Sequence, residues 1–229
     1  MNARAHDLLI GVSGCGGGSR GPRRNFYKRL QYHLASHDHH VAVIPMETIP
    51  DNINDNIERM VQLIQDNSDK YRNIYLMGWS MGGAVAVLSA YKMNTERSTC
   101  PVKGLILLAT QSEGTQPLQV LNIPVLFCHG DADDTVPLWM LEGTYQKYHN
   151  RKRILIFQGL DHQFVGPAWT GDEPIRLIAE HAVQVFLHHH HLSSAEGSDS
   201  NGDSVTRVMI RAPTISMRQR VTRWCCCSR

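Results

Sequence analysis

The sequence predicts an α/β fold of about six mostly parallel strands with helices on both faces of the sheet. Three observations carry that expectation. Short apolar runs rich in β-branched residues alternate with longer stretches of helical spacing, and parallel strands need such crossover segments between them. The runs are nearly continuous in apolar character, as befits strands buried on both faces. The 229 residues, 42% of them hydrophobic, suffice for one domain of ordinary size.

In chain order, Asp7 to Val12 is the first strand-like run, Asn25 to Ser36 has helical spacing, and Val41 to Ile44 is the second strand. Ile53 to Gln65 reads clearly as a helix, because Ile53, Ile57, Met60, Val61 and Ile64 fall on one face at 3.6 residues per turn. Asn73 to Met77 is the next strand and Met81 to Met93 the helix after it. Val102 to Ala109 and Pro124 to Cys128 are strands separated only by residues 110–123. Leu138 to Tyr148 then reads as helix, Ile154 to Phe157 as the sixth strand, and Glu173 to His188 as the last helix. From Ser193 to Asp203 the chain is polar and small-residue-rich, a composition that buries too little apolar surface to offset its ordering entropy. Residues 1–191 are therefore read as the folded domain and 192–229 as a disordered basic tail.

Charge supports the same division. The body holds 17 Lys+Arg against 18 Asp+Glu, the tail 6 against 3. A neutral body lacks the basic face of a nucleic-acid-binding domain, so no nucleic acid is expected as partner. Cys15, Cys100 and Cys128 are scattered and Cys225, Cys226 and Cys227 are adjacent, which suits neither a disulfide framework nor a paired zinc site. No run approaches the roughly 18 apolar residues of a membrane span, and the N-terminal run is too short for a signal peptide. A cytoplasmic protein is expected. His37, His39 and His40 close a helix and lead into a strand, where a solvated turn is a better reading than a metal site. His188 to His191 end the last helix, a position that suits the helix dipole. The arginines and terminal cysteines of the tail could bind anionic lipid and accept palmitoylation, but a tail without a membrane role is the favoured reading. No cofactor is expected.

The residues that carry chemistry are few. Gly78-Trp79-Ser80-Met81-Gly82 falls between a strand and a helix, where small residues on either side of Ser80 permit a sharp turn that presents its hydroxyl. After a later strand comes His129-Gly130-Asp131-Ala132-Asp133-Asp134-Thr135-Val136-Pro137, with three aspartates in competition. After the sixth strand, Gly159-Leu160-Asp161-His162 offers a base. The order Ser80, acid, His162 is that of one class of catalytic triad, distinct from the chymotrypsin and subtilisin orders.

These motifs resemble those of the α/β-hydrolases. The segment at His129 is similar to their HGxxDxxVP motif, in which the aspartate three residues before the valine is the triad acid, and that similarity selects Asp133. The resemblance spans about residues 6 to 188 and looks nearest to the acyl-protein thioesterase and carboxylesterase branch. It implies a compact domain without a cap, since residues 110–123 are too few to hold one. It also implies a serine hydrolase acting on a small-molecule or acylated substrate, with Ser80 as nucleophile, His162 as base and Asp133 as acid. By the same resemblance the N–H groups of Met81 and Cys15 form the oxyanion hole, Ser13 standing where esterases usually have histidine; Gly14 and Gly16 remain alternatives to Cys15. A serine peptidase on the same triad and a catalytically silent hydrolase-fold binding protein are the competing readings.

Overall fold

Strands and helices follow one another in the expected order. The computed structural model describes residues 5–16, 19, 21–23, 25–35, 41–50, 52–96, 102–187 and 206–212. The elements are β1 (Ala5–Val12), α1 (Phe26–Ala35), β2 (Val41–Met46), α2 (Ile53–Asn67), β3 (Tyr71–Trp79), α3 (Met81–Glu96), β4 (Val102–Leu108), a 3-10 turn (Gln116–Val120), β5 (Val125–Gly130), α4 (Leu138–Lys147), β6 (Lys152–Phe157), α5 (Glu173–Ala182) and β7 (Thr206–Ile210). The strands form one sheet in the order β2-β1-β3-β4-β5-β6-β7, parallel throughout.

Period-two alternation splits the core into two layers. Leu8, Ile10, Ile74, Leu76, Leu105, Leu107 and Phe127 face α2, α3 and α4. Leu9, Tyr75, Met77, Ile106, Leu108 and Leu126 face α1 and α5. Because successive strand side chains point to opposite faces, runs without polar interruption fill both layers at once. Local signals support the helices: the Asn52 side chain caps α2 by accepting from the Asp55 N–H at 3.1 Å.

β7 corrects two expectations, six strands and a tail without structure from residue 192. Residues 206–210 pair in parallel with β6, and the Gln158 N–H donates to the Ile210 carbonyl at 2.9 Å. Val208 and Ile210 pack half-buried against the α1–α5 layer, while Arg207 points outward to Glu142 at 3.0 Å. One apolar residue in two, with backbone pairing along an otherwise open edge, stabilises a strand that the tail's composition conceals. Cys225 to Cys227, Cys100, His37 to His40 and His188 to His191 lie outside the described residues.

The topology also places a site. The chain leaves β1 toward β2 on one side and returns past it to β3 on the other, so the carboxyl ends of β1 and β3 border a crevice at the point where the strand order reverses. Open parallel sheets bind their ligands there. Val12 and Gly78 are paired at that end.

Candidate active site

A single residue turns the chain from β3 into α3, and that residue is Ser80. Its φ is +56°, a left-handed conformation that costs a non-glycine residue about 1–3 kcal/mol and persists only where the surroundings impose it. Here the Ser80 N–H donates to the Leu108 carbonyl at 2.9 Å and the Ser80 carbonyl accepts from the Gly83 N–H at 2.9 Å. So tight a turn brings backbones into contact. A Cβ on Gly78 would lie 2.2 Å from the Gly82 carbonyl oxygen, and one on Gly82 would lie 2.4 Å from the Val12 carbonyl oxygen. The glycines of the motif are thus required by close approach. Met81 opens α3, so its N–H belongs to the first turn, where backbone donors have no partner within the helix. Among the described residues Ser80 Oγ forms no hydrogen bond.

The three competing aspartates separate cleanly. Asp133 is buried at the end of β5: its Oδ1 accepts from the N–H groups of Thr135 at 3.0 Å and Val136 at 2.8 Å, and its Oδ2 lies 2.9 Å from His162 Nδ1. Burial works to raise the Asp133 pKa, but the hydrogen bonds from His162 and Val136 outweigh it and hold the carboxyl below its ordinary value. Asp131 instead accepts from the Gly159 N–H at 2.6 Å, tying the β5 loop to the β6 loop, and among the described residues Asp134 meets only the Thr135 hydroxyl, at 3.4 Å.

His162 sits on a short turn organised by its neighbour. Asp161 Oδ1 accepts from Gln163 N at 2.9 Å and Val165 N at 2.8 Å, and the Asp161 N–H donates to the Val165 carbonyl at 2.9 Å. Trp79 ties this turn to the Ser80 elbow. Its Nε1–H donates to the His162 carbonyl at 3.0 Å, and its ring lies 5.4 Å from the imidazole, centroid to centroid. In sequence Trp79 is a variable position inside GxSxG, and only its contact with His162 gives it a role.

The loop after β1 closes the other side. A Cβ on Gly14 would lie 3.0 Å from Ser80 Cβ and 3.4 Å from its Oγ, so backbone alone faces the hydroxyl there. The Thr48 hydroxyl donates to the Gly14 carbonyl at 3.2 Å, and buried Ser13 Oγ accepts from the Gly21 N–H at 3.2 Å. Cys15 is exposed, with its Sγ 3.5 Å from Met81 Sδ. Cys128, by contrast, is buried, and burial pushes its thiol well above the ordinary value, which leaves it a neutral core residue.

A groove of about 300 Å³ runs between the segment after β4 and α4, lined among others by Ser112, Gln116, Leu118, Trp139, Met140 and Thr144. Ser80, Asp133 and His162 are not among its lining residues; along the chain its two walls follow the strand whose Leu108 carbonyl holds Ser80 and the Asp133 loop. Trp139 is 67% exposed, a large apolar ring with no packing role in the core.

Comparison with known proteins agrees with this architecture. A profile of the phospholipase/carboxylesterase family matches residues 38–167, more than half of the chain. Among solved structures, a dienelactone hydrolase from Anabaena variabilis is 18% identical with a TM-score of 0.64, over 80% of this chain and 87% of that one. Est1E from Butyrivibrio proteoclasticus is 18% identical with a TM-score of 0.63, over 80% and 89%. The RedJ thioesterase of the prodiginine pathway in Streptomyces coelicolor is 15% identical with a TM-score of 0.59, over 81% and 96%. No curated protein matches the sequence. The identities are low enough that the solved structures speak for the fold, while the family match covers the elbow, the Asp133 loop and the His162 turn; the chain belongs to the phospholipase/carboxylesterase family and is a serine hydrolase.

Proposed function

We propose that the protein cleaves a carboxylic ester or thioester through an acyl-enzyme intermediate formed on Ser80. The observation that carries this reading is the 2.9 Å contact between Asp133 and His162, on a turn that Trp79 ties to the strained Ser80 elbow. His162 takes the Ser80 proton as Oγ attacks the acyl carbon, and Asp133, ionised and buried, orients the ring and stabilises the imidazolium. The oxyanion accepts from the Met81 N–H and from the loop after β1, with Cys15 the assigned second donor. His162 then returns the proton to the departing alcohol or thiol. Water attacks the acyl-enzyme by the same route, with His162 again as base, and releases the acid.

The extended part of a small-molecule or acylated substrate lies in the groove beside Trp139, whose lining mixes apolar, hydroxyl and amide side chains with one cation, Lys147. Scattered cysteines fit action in the cytoplasm, and among the described residues no helix is long and apolar enough to cross a membrane.

A fluorophosphonate probe tests the reading. Wild type should be labelled and Ser80→Ala should not; a folded wild type that resists labelling would show the fold to be catalytically silent. Rates on p-nitrophenyl esters and acyl thioesters of increasing length then separate the substrate classes.

A further inference from the structure

His129, the penultimate residue of β5, is fully buried, and its environment fixes its state. Nε2 lies 2.7 Å from the Val136 carbonyl oxygen. A carbonyl can only accept, so Nε2 carries the proton. Nδ1 is buried and among the described residues has no hydrogen-bond partner, so a second proton there would be a buried donor with nothing to receive it. The ring is therefore the neutral Nε2–H tautomer.

That ring acts on the acid loop at two points. The backbone of Val136 is held on both sides: its carbonyl accepts from His129, and its N–H donates to Asp133 Oδ1 at 2.8 Å. His129 Nε2 also lies 3.5 Å from Asp133 Oδ2, the same oxygen that lies 2.9 Å from His162 Nδ1. The titratable groups that act on the ring are these two, Asp133 and His162. A charged His129 would pair with Asp133 and cancel the negative charge that serves His162. A neutral one leaves that charge in place and still restrains the carboxylate.

We propose that His129 is a positioning residue that holds Asp133 Oδ2 in line with His162 by clamping the Val136 backbone to the end of β5. This deepens the triad reading and rests on it. The role needs a donor of the right reach and a ring that stays neutral, which a mere space-filling residue would not need.

The test compares His129→Phe, which keeps the ring and loses the donor, with His129→Gln, whose amide can reach the Val136 carbonyl. On p-nitrophenyl acetate the Phe variant should lose about 10- to 100-fold in kcat with KM changed less than twofold, the scale of a small misalignment of catalytic groups. Its kcat/KM profile should shift its acid limb to lower pH, because a loosened carboxylate supports a protonated partner less. The Gln variant should recover most of the loss. A folded Phe variant with wild-type kcat and pH profile overturns the proposal. Nitrogen NMR of the His129 ring in the full-length wild type tests the same point with no variant required to fold: a neutral Nε2–H ring from pH 5.5 to 8.5 supports the proposal, and a charged or Nδ1–H ring at pH 7 overturns it. Repeating the NMR on Ser80→Ala, which leaves the Val136 contact in place, separates the two readings. Residual activity or labelling in that variant refutes the triad, whereas the ring's tautomer bears only on His129.

Discussion

Asp133 Oδ2 lies 2.9 Å from His162 Nδ1, and among three aspartates within four residues only Asp133 meets the imidazole. The selection follows from backbone geometry. Two N–H groups of the same loop hold Oδ1 and leave Oδ2 facing the β6 loop.

Asp133→Asn should therefore lower kcat about 10⁴-fold, the scale seen when a triad acid is neutralised without changing its shape. Asp131→Asn and Asp134→Asn should each cost less than about tenfold, because the first ties two loops together and the second touches only a hydroxyl. Steady-state kinetics of the three purified variants, with circular dichroism to establish folding, decides the matter. A crippled Asp134→Asn beside an active Asp133→Asn would move the acid by one residue.

Trp79 gives a more graded expectation. Trp79→Phe keeps an aromatic ring near His162 and removes the Nε1–H donor to its carbonyl. Loss of one hydrogen bond of about 0.5–1.5 kcal/mol corresponds to roughly 2- to 13-fold if it is felt fully at the transition state. Trp79→Ala should cost more, since the ring contact goes too. Pre-steady-state acylation rates in both variants check the ordering, and equal rates would show that the ring alone matters.

The groove predicts a split in substrate preference. Trp139→Ala should raise KM about tenfold for long-chain or bulky p-nitrophenyl esters, equivalent to about 1.4 kcal/mol of lost apolar contact, and leave the acetate ester within twofold. A uniform change across chain lengths would mean that the extended part of the substrate lies elsewhere.

Much of this site was legible because each motif is forced by local physics. Gly78 and Gly82 are read from sequence as small residues, and the structure shows carbonyl oxygens where their Cβ atoms would go. The aspartate that meets His162 was legible only through the motif's register, since nothing in three neighbouring carboxylates tells which one a distant histidine meets. Trp79 was not legible, because its partner is a backbone carbonyl 83 residues away and no side-chain pattern encodes it. β7 was hidden for a topological reason as well as a compositional one. After β6 the helix α5 packs with α1, on the face opposite α2, α3 and α4. A right-handed crossover to a further parallel strand would have carried its helix on that other face, so the usual expectation is that the sheet stops at β6.

His129 predicts a pH dependence of stability. Burial, the largest influence on the ring, lowers its pKa from the ordinary 6.5, and the Val136 hydrogen bond and Asp133 oppose it only in part. With the folded value depressed, the unfolded chain binds an extra proton below 6.5. The contribution of the neutral ring is thus complete above pH 6.5 and is lost as pH falls toward the folded value, by at most about 1.4 kcal/mol per pH unit. Urea unfolding of wild type and His129→Gln at pH 8 and pH 5 should show the wild-type advantage shrinking at pH 5. An advantage that is constant across that range would mean that the buried ring titrates like a free one.

The last prediction concerns the edge that β7 covers. Deleting residues 192–229 removes the strand paired with β6, the half-buried Val208 and Ile210, and the Arg207–Glu142 contact. Ser80, Asp133 and His162 and the residues that hold them come from β1 through the loop after β6, so a fluorophosphonate probe should still label the truncated protein. Stability should fall all the same. Two half-buried aliphatic side chains and a short ladder contribute about 2–3 kcal/mol, which corresponds to roughly 5–10 °C in Tm for a domain of this size. The bared β6 would also present unpaired N–H and C=O groups, which invite edge-to-edge association. Calorimetry and light scattering on the two forms test both effects. An unchanged Tm with no new association would mean that β7 contributes nothing to the fold, and loss of labelling in a folded truncation would mean that the His162 turn depends on the Gln158–Ile210 hydrogen bond.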